Sequence, residues 1–265
     1  MNKYNNRIGK YYQYQENGFH VSESEVIEEV PVQLTVNGEE WLTFMCTPLN
    51  LEELAIGFLF NEGIINSTHE IESVRLCSSG DILDIWLNKP VAKPAYWSRT
   101  SGCTGGTTTK DSDKSIQNSD APEINGLLIN PDTVTSLVAK LFESQKIYRS
   151  AGGVHTSALC KLSEICVSME DIGRHNTLDK IAGYCLINNI KLNKPIIVTT
   201  GRISSEMLQK SKRLSASIVI SRTSPTTLSI RMAESFGITL IGYVRRNRFR
   251  LYTHPQRVNI KLLIT

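Results

Sequence analysis

An α/β architecture, with a smaller α+β unit ahead of a larger βαβ-built one, is predicted by the 265-residue sequence. Three observations carry it. Residues 156 to 252 alternate short apolar runs with stretches of helical period, the rhythm of a largely parallel sheet. Residues 30 to 87 read as a hairpin, one helix and a further strand pair. Between the two, residues 104 to 122 are mostly Gly, Thr, Ser, Asp, Lys and Asn, too polar to offset the entropy of ordering. The boundaries that follow are a flexible arm over 1–20, a small α+β domain over 21–100, a mobile loop over 101–126 and an α/β domain over 127–265. That length suits one large domain or two modest ones, with a core that needs no disulfide or metal.

The elements follow in order. Val30, Val32, Leu34 and Val36 alternate, Asn37-Gly38 supplies a type I′ turn, and Leu42, Phe44 and Cys46 alternate on the return strand. Pro48 and Asn50 open a helix with Leu51, Leu54, Ala55, Phe58 and Leu59 on one face, and Gly63 is placed to end it. A strand pair falls around residues 73 to 87. Asn130 and Pro131 start a second helix along Val134, Leu137, Val138, Leu141 and Phe142. Beyond it, strands are expected at Ile165–Met169, Pro195–Thr199, Ser217–Ile220 and Ile238–Val244, with helices begun near Asn176, Ser204 and Ser224.

Composition narrows the function classes. The first residues, MNKYNNRIGKYYQYQENGF, are polar, and no stretch approaches the roughly 20 apolar residues of a membrane span, so a soluble, cytoplasmic protein without membrane attachment is expected. The net charge of +3 gives no case for nucleic acid as a partner. Six cysteines lie in apolar or strand-like segments without paired spacing, as reduced cytosolic thiols do. The metal-ligand spacings CxxC and HxH are absent, so no metal held directly by the chain is expected.

The strands of the second half end in arginine-bearing loops: EDIGRHN with Arg174, TTGRIS with Arg202, SRTSPT with Arg222, and YVRRNR with Arg245, Arg246 and Arg248. The first three lead into helix N-termini, whose free N–H groups favour anions at the carboxyl edge of such a sheet. Arginines added there suit phosphate or pyrophosphate. Surface pairing with acids is the plain alternative for any one of them. Tyr243, Phe249 and Tyr252 alternate with basic residues along the last strands. His155 and His175 stand beside glycines that admit a ligand, with Asp171 and Asp179 as candidate orienting carboxylates for the second.

Cys103 differs from the other cysteines. It lies in RTSGCTGGTTT near Arg99, where a thiol can be exposed and its thiolate stabilised, while the other five read as small core residues.

The strings TSGCTGG, GGVHTSALC, EDIGRHNTLDKIAG, TTGRISSEM, TSPTTLSIRMAESFGITLIGYVRRNRF and YTHPQR resemble the FdhD/NarQ family, from about residue 30 to the end. The resemblance implies an accessory sulfurtransferase for formate dehydrogenase, taking sulfur from a cysteine desulfurase as a persulfide on Cys103. The resemblance further implies that this sulfur is passed to the molybdenum cofactor in its bis(molybdopterin guanine dinucleotide) form. It also implies a cytidine-deaminase-like α/β/α domain, a homodimer, and a cofactor strip on Tyr243, Val244, Arg245, Arg246, Asn247 and Arg248. Many members carry a second loop cysteine where this chain has Gly106. A cofactor-binding chaperone without sulfur transfer, or a nucleotide-processing enzyme using His155 or His175, are the alternatives.

Overall fold

The computed structural model describes residues 7–94, 97–99, 107–109 and 127–261. β1 (Arg7–Gln15) and β2 (Gly18–Val26) form an antiparallel hairpin, so the boundary drawn at residue 20 falls inside a strand. Its period-2 signal rests on Tyr, Phe and Val set among Gln, Ser and Glu, a pattern easily read as a polar arm.

β3 (Val30–Val36) and β4 (Glu39–Cys46) make the expected hairpin, with Asn37 and Gly38 at φ 52° and 78° as a type I′ turn requires. α1 (Leu51–Asn61) follows. Asn50 starts it in a left-handed conformation, its amide donating to Glu53 at 3.0 Å instead of capping the backbone. β5 (Ile71–Leu76) and β6 (Ile82–Leu87) complete a sheet of order β4-β3-β6-β5. Leu54, Phe58 and Leu59 of α1 bury against Val32, Leu34 and Ile85 of its inner face.

β7 (Trp97–Arg99) pairs with β8 (Thr107–Thr109), which takes three residues out of the expected loop. Consecutive β-branched threonines favour a strand whatever their polarity. The rest of that loop, including Cys103, lies outside the described residues.

The larger unit opens with α2 (Pro131–Ser144) and the short α3 (Ile147–Ala151). Then come β9 (His155–Lys161), β10 (Glu164–Asp171), α4 (Arg174–Ile187), β11 (Ile196–Thr199), α5 (Ser205–Arg213), β12 (Ile218–Ser221), α6 (Thr227–Phe236), β13 (Thr239–Arg245) and β14 (Arg248–Leu251). The sheet order is β10-β9-β11-β12-β13-β14. β11, β12 and β13 are mutually parallel, while the β10/β9, β9/β11 and β13/β14 pairs are antiparallel. The expected largely parallel sheet is thus a mixed one, because the two-residue links after β9 and β13 can only make hairpins. Alternation sorts its residues: Ile196, Val198, Ile218 and Ile220 pack towards α2, and Ile197, Val219 and Leu240 towards α4, α5 and α6. Three layers, α/β/α, result.

The two units meet where α1 crosses α4, and the crossing is set by glycines. A Cβ on Gly57 would sit 1.8 Å from the Asp179 carbonyl oxygen, and one on Gly183 would sit 1.9 Å from that of Glu53. Each helix therefore approaches the other to backbone contact at a position where any side chain would force them apart. Gly57→Ala or Gly183→Ala should lower unfolding free energy by about 1–3 kcal/mol or more, the cost of overpacking a tight contact. Urea unfolding checks this; an unchanged midpoint for both variants contradicts the reading of the crossing.

Candidate functional site

Sheet order gathers the chemistry at one edge. From β10 to β13 that edge carries the Gly173-Arg174-His175 turn, His155, the Thr200-Gly201-Arg202 loop, Arg222, and the Tyr243 to Arg248 turn. β9 runs antiparallel to β11, so its first residue, His155, lies where β11 ends. α4, α5 and α6 all begin here. Ser204 caps α5 by accepting from Met207 N at 3.4 Å, and Thr226 caps α6 in a capping box with Ser229.

The turn bearing Arg174 and His175 is pinned by Asp171, which is fully buried. Its Oδ1 accepts from Gly173 N at 2.7 Å and Asn176 Nδ2 at 2.8 Å. Its Oδ2 accepts from Thr47 N at 3.1 Å, Thr47 Oγ1 at 2.9 Å and Lys180 Nζ at 2.6 Å. Lys180, also fully buried, reaches Thr47 Oγ1 at 3.0 Å, and Asn176 Nδ2 reaches Met45 O at 3.0 Å. The end of β4 is thereby fastened to the start of α4.

Neither Asp171 nor Asp179 orients His175. Asp179 is taken by Lys210, at 2.6 and 2.9 Å, and by Asn61. The carboxylate at His175 is Glu206, whose Oε2 lies 3.1 Å from Nε2, with Ser204 Oγ at 3.2 Å. Glu206 sits a helix away in sequence, so local spacing could not reveal it. His155 Nδ1 lies 3.4 Å from Thr200 Oγ1, which also accepts from Thr156 N at 3.0 Å. Burial holds His155 below the ordinary imidazole range, reinforced by the charge of Arg174 and by His175. Burial likewise depresses His175, and its bond to Glu206 only partly opposes that.

At the other end of the edge, Arg222 Nη1 donates to Val244 O at 3.4 Å, and its guanidinium lies 5.6 Å from the Phe142 ring centroid. Arg245 Nη1 donates to the carbonyls of Arg222 and Val244. Val244 itself is 1 % exposed and belongs to the core facing α2, so it can offer the edge only its backbone. Tyr243 is left-handed at φ 55°, and its ring lies 4.4 Å from the guanidinium of Arg250. Arg246, at φ 41°, turns the chain into β14. Arg202, Arg246, Asn247 and Arg248 are exposed. Gly201 lets its loop close on Arg174, whose Cβ would be 2.9 Å from a Cβ there.

The cysteines divide differently from the sequence reading. Burial raises Cys46 and Cys160 to about 12 and Cys185 to about 11, as inert core thiols. Cys77 and Cys166 are not core residues: Cys166 is exposed at a bulge in β10. Cys77 lies in the β5–β6 turn, where a hydrogen bond with Ser79 draws its thiol down.

The depressed histidines give a pH signature. Between their native values and the unfolded value of about 6.5, the unfolded chain binds more protons, so stability rises with pH across that window. It is lost as pH falls from about 6.5 towards the native values. Urea unfolding as a function of pH should show this rise, and a His155→Asn/His175→Asn variant should flatten it; an equal slope in both proteins contradicts the assignment.

The chain matches the model of the FdhD/NarQ family over residues 27–259. It is 39% identical over 249 residues to the sulfur carrier protein FdhD of Bacillus pumilus (strain SAFR-032), covering 93% of this chain and 95% of that one. With the Bacillus subtilis (strain 168) protein of the same name it shares 36% identity over 238 residues, 89% of this chain and 91% of the other. A crystal structure of a candidate formate dehydrogenase accessory protein from Desulfotalea psychrophila superposes with a TM-score of 0.77 at 25% identity, covering 96% of this chain and 99% of that chain. Motifs, fold and relatives agree, and the chain belongs to the FdhD/NarQ family.

Proposed function

We propose that this chain is a sulfur carrier in formate dehydrogenase maturation, with Cys103 as the carrying residue and the arginine edge as the seat of an anionic client. The names of its relatives support the carrier role, and that of the superposing structure supports formate dehydrogenase as the enzyme served. The observation that carries the client site is the edge itself. Four strand ends there bear Arg174, Arg202, Arg222 and Arg245 to Arg248, and three helices open onto it. Strands are spaced about 4.8 Å apart, so the edge from β10 to β13 runs roughly 20 Å, room for an elongated polyanion rather than a single phosphate.

The client is molybdenum cofactor in its bis(molybdopterin guanine dinucleotide) form, a substrate whose pyrophosphates face arginines and helix N-termini. Depressed His155 and His175 are neutral at pH 7, able to donate or accept a hydrogen bond without adding charge. The Cys103 thiolate attacks the outer sulfur of a cysteine desulfurase persulfide; a new S–S bond forms as the old one breaks, and the desulfurase departs as its thiolate. The S–S bond of the Cys103 persulfide would then break, Cys103 leaving as its thiolate and the outer sulfur passing to the bound cofactor, whose reduced metal would supply the two electrons that convert it to sulfide, in the cytoplasm and before insertion into formate dehydrogenase. On this reading the three-layer unit is the cytidine-deaminase-like domain, used as a binding scaffold.

Exposure to a cysteine desulfurase and L-cysteine should add about 32 Da, one sulfur, at Cys103, detected by peptide mass mapping. Cys103→Ala should abolish both the adduct and formate dehydrogenase activation. If Cys103→Ala still activates the dehydrogenase, the chain is a cofactor-binding chaperone and not a sulfur carrier.

A further inference from the structure

The junction of the two units holds a second concave site, at the far end of the sheet from the arginine edge. A cavity of about 390 Å³ opens where α1, α4 and α5 end, next to Pro195 at the entrance to β11. α4 spans 14 residues from Arg174 at the edge to Ile187 at this end, roughly 20 Å at about 1.5 Å per residue, so the two sites are separate. The floor is apolar: Phe60 of α1, Ala182, Cys185 and Leu186 of α4, and Leu192 and Leu214 of the segments following α4 and α5. The rim is polar. Its charged members are Arg213 and Lys191, and His69 adds an imidazole; among the described residues no carboxylate lines the cavity.

Helix carboxyl ends oppose an anion, each carrying about half a negative charge. Here their carbonyls are already satisfied. Ile190 N donates to Cys185 O at 2.8 Å and Ala216 N to Ser211 O at 3.0 Å, each closing its helix through a left-handed residue, Asn189 or Ser215. At the end of α1, Arg213 Nε and Nη2 donate to Phe60 O at 3.1 and 2.7 Å. Those bonds and the Phe60 ring, whose centroid lies 4.5 Å from the guanidinium, hold Arg213 half-buried in place. Among the described residues neither Arg213 nor Lys191 forms an ion pair with a carboxylate. Two full positive charges set against capped half charges suit one negative charge, not several.

We propose that this cavity binds a small amphipathic monoanion, an aromatic or short aliphatic body bearing one carboxylate or sulfonate. The body lies on the floor between Phe60 and Leu186, and the anion faces Arg213 and Lys191. Ligand pockets of roughly 300–1,000 Å³ form preferentially at such junctions, with an apolar lining and a few polar groups that fix orientation. A polyanion is better served at the arginine edge, where helix amino ends add to the arginines. The inference is independent of the sulfur chemistry.

Fluorescence titration of the full chain with 8-anilinonaphthalene-1-sulfonate, a monoanion with an aromatic body, tests the assignment. The probe should bind saturably and be displaced by indole-3-acetate or by octanoate, the stronger competitor showing whether the body accepted is aromatic or aliphatic. Guanosine diphosphate should not displace it. Lys191→Glu/His69→Glu, at two exposed rim positions, should weaken the probe on the order of 10-fold through lost charge-assisted contact. Leu192→Trp, which fills the cavity from a loop, should act in the same direction, and thermal unfolding of both variants should match the wild type. Absence of saturable binding, equal affinity in the wild type and both variants, displacement by guanosine diphosphate, or displacement by neither carboxylate overturns the inference.

Discussion

The arginine edge depends on one buried carboxylate. Asp171 is removed from water, which costs several kcal/mol for a charge unless donors surround it, and here they do: Lys180, the amide and hydroxyl of Thr47, Gly173 N and Asn176. Those donors come from both units. Thr47 directly follows β4 of the small sheet, whereas Gly173 and Asn176 belong to the turn that launches α4 and presents Arg174 and His175. The glycine crossing of α1 and α4 brings the units close enough for this bond set to close. Packing of the small unit and geometry of the arginine edge are therefore one constraint, and loss of either partner would leave a buried charge uncompensated.

Mixed strand direction serves the same edge. Three parallel strands deliver their carboxyl ends and the following helix N-termini there, as an open α/β sheet must. The antiparallel β9 adds the start of a strand, which is how His155 joins the set. The β13–β14 hairpin adds a tight turn that projects Arg246 and Asn247 beyond the sheet. Burial keeps the histidines neutral while the arginines supply the charge, so the two residue types divide hydrogen bonding from electrostatics.

What could be read from sequence follows the range of the interaction. The Asn37-Gly38 turn, the apolar stripes of α1 and α2, and the strand ends bearing Arg174, Arg202 and Arg222 are local patterns, and each is where it was expected. Glu206 as the partner of His175, Thr47 as a donor to Asp171, and the burial of Val244 arise between distant segments and leave no local spacing. β1 and β2 escaped because, among the described residues, their apolar positions face no core. The cluster of three threonines in β8 shows strand propensity overriding a polar composition.

On the function proposed, the arginine edge binds the anionic tail of the client. Calorimetric titration with guanosine diphosphate, the soluble fragment of that tail, tests it on the wild type and on Arg202→Gln/Arg246→Gln, two exposed arginines whose loss should leave the fold intact. Each charge-assisted hydrogen bond contributes about 1.5–3 kcal/mol, so the double variant should bind at least about 100-fold more weakly, with wild-type binding falling as salt is raised. Equal affinity in the two proteins, or no binding by the wild type, would contradict the account.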